Sequence, residues 1–189
     1  SQSDQRHVYC LYKNGDVKKI TKGDGYHSAT FQYGCLIINK FERAKFTRES
    51  TIYITDKSRE HSIDSVAEAF WSDSLLFYHT LAPSQLKVTV CMPANYKSVA
   101  KKIPIIVNSY GGPGHQEVLS AGLMQAYSLS LAQEGYAVIT CDGRGTPGRG
   151  ASWEYAISHD LASPVLEDQI TVLTEVCELY PLLDIQRVG

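Results

Sequence analysis

Ile103-Pro104-Ile105-Ile106-Val107-Asn108 is the stretch on which the architecture turns. A nearly all-apolar run of this length reads as a strand buried on both faces, which is the habit of parallel sheets. A helical stretch is predicted from Leu119 to Gln133, with Leu119, Leu123, Ala126, Tyr127 and Leu131 on one face and Gly135 ending it. Tyr136 to Cys141 is predicted as a second buried strand. A glycine-rich loop follows. A second helix then opens at Ser163-Pro164, a cap followed by proline in the first turn. Its apolar stripe would be Leu166, Ile170, Leu173, Cys177 and Tyr180. Strand, helix, strand, helix predicts an α/β fold, a parallel sheet covered on its faces.

Upstream, Leu75 to Leu81 and Leu86 to Cys91 read as two more strands across a Pro83-Ser84 turn. Before about Ser65 the texture is different. His7 to Tyr12 leads through Asn14-Gly15, a strong hairpin signal, into Val17 to Thr21. Phe31 to Tyr33, Cys35 to Phe41 and Thr51 to Thr55 follow. Strands spaced by about 8 to 12 residues predict a meandering antiparallel sheet, as in one blade of a β-propeller. At the other end, Asp184 to Gly189 reads as a turn running into a further strand. A sheet left with such an open edge is expected of a truncated domain.

The chain has 189 residues, 43% hydrophobic and 20% charged, an ordinary globular composition that permits a sizeable core. A net charge of -2 gives no electrostatic case for binding nucleic acid or an anionic membrane. No apolar run reaches the roughly 18 residues of a membrane span, and the polar Ser1 to Arg6 does not read as a signal peptide. Cys10, Cys35, Cys91, Cys141 and Cys177 are scattered, without the spacing of a metal site. They read as core thiols, and their odd number leans toward a reducing, cytoplasmic compartment.

Two loops carry the chemistry. Asp142-Gly143-Arg144-Gly145-Thr146-Pro147-Gly148-Arg149-Gly150 contains Gly-x-Gly-x-x-Gly after a strand, so a dinucleotide site is one reading. Against it, Asp142 would set a carboxylate beside the pyrophosphate, and Pro147 has no N–H to donate. The ribose-binding acid would be Glu167 or Asp168, inside a helix instead of at a strand end. A purely structural loop is a second reading. The other loop is Asn108-Ser109-Tyr110-Gly111-Gly112-Pro113-Gly114, directly after the buried strand. In α/β-hydrolases this position supplies part of the oxyanion hole, and Tyr110 offers a phenolic donor. A glycine turn with a tyrosine packed over it accounts for the same residues. No Gly-x-Ser-x-Gly occurs, since Gly150-Ala151-Ser152-Trp153-Glu154 lacks the final glycine. The six histidines show no metal spacing, and His115 could line a cleft near Tyr110.

Taken together, the loops resemble the dipeptidyl peptidase IV branch of the prolyl oligopeptidase family of serine peptidases. The resemblance is carried by Ile105 to Gly114, by Gly135-Tyr136-Ala137-Val138-Ile139, by Asp142-Gly143-Arg144-Gly145, and by Leu166-Glu167-Asp168-Gln169-Ile170, in order over residues 86–189. Residues 8–70 are similar to the family's last propeller blade in texture and position. The resemblance implies a blade region over residues 1–70 and the first part of an α/β-hydrolase domain over 71–189, with Arg187-Val188-Gly189 entering the strand before the nucleophile. It implies that Tyr110 donates to the oxyanion, while Gly111, Gly112, Asp142, Arg144, Glu167 and Asp168 support the site. The triad would then lie outside this chain, leaving it inactive alone and poorly stable. The implied partner is a peptide substrate, with no metal or organic cofactor, and the parent could be homodimeric. A catalytically dead homologue that acts as a binding or structural module is the alternative.

Overall fold

The computed structural model describes residues 3–54, 59–68 and 70–189, which fall into two units. The first unit holds the residues up to Trp71 together with Leu119–Met124. Strands β1 (Tyr9–Leu11) and β2 (Val17–Lys19) form a hairpin in which Leu11 faces Val17. The Asn14-Gly15 signal is realised as a turn closed by the Gly15 N–H on the Tyr12 carbonyl at 2.9 Å, with Gly15 at φ 90°. This is the three-residue loop with a left-handed glycine, one residue longer than the two-residue turn the dipeptide suggests.

Strands β3 (Tyr26–Gln32), β4 (Cys35–Phe41), β5 (Glu49–Ile54) and β6 (Arg59–Ile63) make a four-stranded antiparallel meander in chain order. β3 begins five residues earlier than its apolar end suggests and stops before Tyr33. Tyr33 and Gly34 both have positive φ, the two-residue turn whose twist matches a hairpin. β6 was not foreseen, because Arg59-Glu60-His61-Ser62-Ile63 has too little apolar character to announce a strand. Thr55, expected in β5, lies outside the described residues.

Leu119–Met124 corrects the expected helix. The Ser120 N–H donates to the Asp4 carbonyl at 2.7 Å, and its hydroxyl donates to the buried Asp4 carboxylate, which also pairs with Arg43. The Gly122 N–H donates to the Glu42 carbonyl at 2.8 Å, and a Cβ there would stand 2.5 Å from the Arg43 carbonyl oxygen. The Ala121 N–H donates to the Leu119 carbonyl at 2.7 Å, a three-residue turn that an α-helix does not contain. Residues Gly122–Gln125 therefore form a single 3₁₀ turn, and helix α1 runs only from Ala126 to Gln133. Its buried face is Ser128, Leu129 and Ala132, while Tyr127 is 70% exposed.

The second unit, residues 72–118 and 125–189, is built on a five-stranded mixed sheet. Its strands are β7 (Leu75–Thr80), β8 (Lys87–Met92), β9 (Ile103–Val107), β10 (Ala137–Asp142) and β11 (Leu183–Val188), in the order β11-β9-β10-β8-β7. β9, β10 and β11 are parallel, as the apolar runs predict, and β8 pairs antiparallel with both β10 and β7. The β9–β11 register slips after Asp184, beside Pro104, which has no N–H for the ladder. The core is formed by Val88, Val90, Met92, Ile105, Ile139 and Leu183 from the sheet with Val172 and Val176 from helix α3 (Ser163–Leu179).

The α3 stripe differs from the expected one. Asp168, Val172 and Val176 face inward, and Leu166 and Ile170 are exposed. Hydrophobic periodicity counts Asp168 as a solvent residue, yet its tether to the glycine loop sets the rotation of the helix. Ser163 is the first helical residue, and the capping position falls to Ala162, which makes no side-chain cap bond. The Asp160 carboxylate instead accepts the Ala162 and Ser163 N–H groups at 2.9 and 3.0 Å. At the far end, Tyr180 joins Phe77, His79 and Tyr96 in an aromatic cluster with a 2.8 Å hydrogen bond between the Tyr180 hydroxyl and His79 Nε2. Burial lowers the His79 pKa. No helix among the described residues is long and apolar enough to cross a membrane.

Candidate active site

Parallel strands place their following loops at the carboxyl edge of the sheet. Here the loops after the adjacent strands β9 and β10 are the two that sequence singles out. Asn108 begins the first. Its N–H donates to the Ile139 carbonyl at 2.9 Å, and its side-chain amide reaches Thr140 Oγ1 at 3.4 Å, so the loop starts from a fixed point.

Tyr110 follows, half-buried, with its hydroxyl donating to the Pro113 carbonyl at 2.9 Å. His115 meets the phenol edge-on, with ring centroids 5.2 Å apart and an interplanar angle of 81°. His115 Nε2 lies 3.1 Å from Glu117 Oε1. Gly111 is required by packing, since a Cβ would stand 2.2 Å from Val165 Cγ1 at the start of α3. A Cβ on Gly112 would meet the Tyr110 hydroxyl at an ordinary 3.5 Å. The Tyr110 ring is thus boxed between its own loop and His115.

The second loop locks the first. Asp142, at the end of β10 and 1% exposed, accepts the N–H groups of Glu117 at 2.9 Å and Val118 at 3.0 Å. Burial raises the Asp142 pKa, and the two N–H donors work against that rise by favouring the charged form. Gln125 adds a second tie. Its amide donates to the Glu117 carbonyl at 2.9 Å and accepts from Thr89 Oγ1 at 3.2 Å.

Beyond Asp142, the loop is cross-braced to α3. The Arg144 backbone N–H donates to Asp168 Oδ2 at 2.6 Å, and Nε lies 3.0 Å from Asp168 Oδ1. Its Nη2 donates to Glu167 at 2.8 Å and to the Pro164 carbonyl at 3.0 Å. Hydrogen bonds from Arg144 to Asp168 and then Glu167 raise the guanidinium pKa further. Gly143 has no room for a side chain, because a Cβ would stand 2.8 Å from Asp168 Oδ2. Trp153, on the short helix α2 (Ala151–Glu154), donates its indole N–H to the Gly143 carbonyl at 2.9 Å. Arg149 lies over the Trp153 ring at 3.7 Å. These contacts fill the space a pyrophosphate would need with carboxylates and indole, so the dinucleotide reading fails on geometry. Among the described residues no cluster of metal-ligating side chains occurs.

The residues taken as site support from sequence fall into two groups, Tyr110-Gly111-Gly112 after β9 and Asp142-Arg144-Glu167-Asp168 between β10 and α3, with His115 beside Tyr110. Gln125, Glu117 and Trp153 were missed. A buried Gln inside an amphipathic run carries no sequence signal, and the role of Glu117 lies mainly in its backbone.

The antiparallel meander and the mixed sheet define the fold class: a β-propeller segment followed by the start of an α/β-hydrolase sheet. Comparison with known proteins gives the family. Residues 124–189 match the prolyl oligopeptidase family profile, a span that contains the Asp142 and Glu167 motifs but not the Tyr110 loop. The chain is 33% identical over 105 residues to venom dipeptidyl peptidase 4 of Vespula vulgaris, covering 54% of this chain and 13% of that protein. It is 31% identical over 180 residues to a probable dipeptidyl-aminopeptidase B of Coccidioides posadasii, covering 88% and 19%. The fold is that of Porphyromonas gingivalis dipeptidyl peptidase 4, with a TM-score of 0.79 at 23% identity, over 99% of this chain and 28% of that one. The chain belongs to the prolyl oligopeptidase family, as a dipeptidyl peptidase IV-like member. It spans between 13% and 28% of the length of these relatives.

Proposed function

We propose that this chain is a portion of a serine peptidase that cleaves short peptides through an acyl-enzyme, and that the chain is inactive by itself. Residues 1–70 would be the blade region and residues 71–189 the start of the peptidase domain. In the reaction, a serine oxygen bonds to the peptide carbonyl carbon and the carbonyl oxygen takes up the negative charge. The C–N bond then breaks as a base returns the serine's proton to the leaving amine, and water releases the acyl group.

Tyr110 is assigned to the oxyanion. Its O–H can turn from the Pro113 carbonyl, which faces solvent, toward a developing negative oxygen without displacement of the ring. A donor already positioned in this way lowers the barrier more than one that must be reorganised. The observation that carries the reading is the tether of the Tyr110 loop, through Glu117 and Val118, to Asp142. Such a tether holds a donor at the carboxyl end of β9. Arg144, Glu167 and Asp168 keep the second loop shaped, and Gly111 gives the close approach to α3.

A fluorophosphonate probe, which labels activated serines, tests the assignment on this chain and on the full-length protein. Label on the full-length protein alone is the expected result. Label on this chain would put a working serine among residues taken as structural. No label on a folded full-length protein would move the reading to a binding module that kept the architecture without the chemistry.

A further inference from the structure

The geometry points to His115 as the positioning residue for Tyr110, an inference that rests on the oxyanion reading above. Three contacts run in series. Asp142 holds the Glu117 backbone N–H at 2.9 Å. The Glu117 carboxylate meets His115 Nε2 at 3.1 Å. The imidazole edge then packs against the phenol at 5.2 Å. A phenol at the surface has two soft torsions, and its single bond to Pro113 restrains the hydroxyl without fixing the plane of the ring. The edge-on imidazole supplies that missing restraint, since aromatic pairs favour this tilt. The Glu117 contact helps to hold the exposed histidine in this place.

The chemistry asks for such a restraint. An oxyanion donor acts only if its hydrogen lands within hydrogen-bond distance of an oxygen that exists for an instant, and misplacement by about 1 Å can cost about 100-fold in rate. The contribution of His115 is to geometry in the transition state. It therefore belongs in kcat and not in substrate affinity.

The test uses the full-length protein, with kcat and KM measured on a chromogenic peptide substrate and each preparation normalised by fluorophosphonate active-site titration. Tyr110→Phe is expected to lower kcat by about 100-fold or more, as loss of an oxyanion donor does. His115→Ala is expected to lower kcat by about tenfold with KM within about twofold. His115→Phe, which keeps the ring edge and loses the Glu117 contact, should recover most of the loss. His115→Gln, which keeps a polar partner for Glu117 and loses the ring, should not. If Tyr110→Phe is impaired and His115→Ala keeps wild-type kcat, the positioning role is wrong and the oxyanion reading survives. If Tyr110→Phe itself keeps wild-type kcat, both fall. Should His115→Ala fail to fold, the Phe and Gln variants decide, and better activity in Gln than in Phe overturns the proposal.

Discussion

Strand β10 is buried at all six of its positions, and strand β6 is exposed at all five. Both are regular, fully paired strands on at least one side, so hydrogen bonding does not separate them. The difference lies in what covers their faces. β10 sits between β9 and β8, and its faces are closed by α1 and α3. Among the described residues the antiparallel unit has no helical layer. Its buried apolar side chains among the described residues are Ile38, Leu119 and Ala121, and Leu11 and Phe31 stand 73% and 65% exposed. Between the β1–β2 hairpin and the meander an open groove of ≈ 780 Å³ is lined by Val8, Cys10, Ile20, Phe31, Leu36 and Tyr53 among others. Backbone pairing shapes a sheet, and a second layer is what removes its apolar face from water. The stability of this chain should therefore be concentrated in the α/β unit.

The cysteines give the largest test of that contrast. Burial pushes the Cys91 thiol up to about 12, and burial followed by the Asp142 and Asp168 carboxylates pushes Cys141 up as well. Cys10 and Cys35 are only half-buried. With an aromatic disulfide reagent at mildly alkaline pH, Cys10 and Cys35 should react at least about 1,000 times faster than Cys91 and Cys141, whose labelling waits on opening of the core. Equal rates would mean that the two units open together. Next in size are paired truncations. Ile139→Ala, in the middle of β10, should cost about 2–5 kcal/mol in urea unfolding, whereas Leu11→Ala should stay within about 0.5 kcal/mol. Comparable losses would show that the hairpin has a partner layer in solution.

The same contrast governs how much was legible in the sequence. Doubly buried strands announce themselves, since Ile103 to Asn108 and Tyr136 to Cys141 are continuous apolar runs. The hidden features are those in which a polar group replaces an apolar one at a buried position. Asp168 turns α3 so that Val172 and Val176 face the sheet, and a periodicity argument that discards Asp selects Leu166 and Ile170 instead. Residues 119–122 are held by Asp4 and Glu42, which lie far away in sequence, in a tight turn between Leu119 and Ala121, and the helix predicted from Leu119 begins at Ala126. At the candidate site the loops were legible because glycine and tyrosine stand at strand ends. The cross-braces from Gln125 and Trp153 were not, because a tertiary hydrogen bond leaves no periodic trace.

Ion pairs carry the comparison to smaller effects. Arg144→Ala removes the partner of the buried Asp168 carboxylate, which keeps the residue 144 backbone N–H. A cost of about 1–3 kcal/mol is expected, below that of a fully buried pair because the guanidinium remains about a third exposed. Lys45→Ala removes the exposed Lys45–Glu49 pair of the antiparallel unit and should leave the urea midpoint unchanged. Hydrogen exchange at residues 143–146 would show whether the first loss is local to the glycine loop.

Asp142 gives the effect with a definite pH signature. Its folded pKa is raised, chiefly by burial, so over the window just above the ordinary carboxylate pKa the folded state holds a proton that the unfolded state has released. Stability from this group is then fully present below the unfolded pKa and declines as pH rises through the folded value. Asp142→Asn removes the titration but leaves the Glu117 and Val118 N–H groups to share one carbonyl oxygen, with the amide NH₂ turned against the other. That loss should cost about 1 kcal/mol at the acidic end. As pH rises through the window the native protein bears the growing cost of a buried charge and the variant does not, so the gap between them should narrow. Urea unfolding of both proteins from pH 3.5 to pH 8 measures it. A gap that widens with pH would mean that the two N–H donors outweigh burial, and that the tether of the Tyr110 loop is strongest with Asp142 ionised.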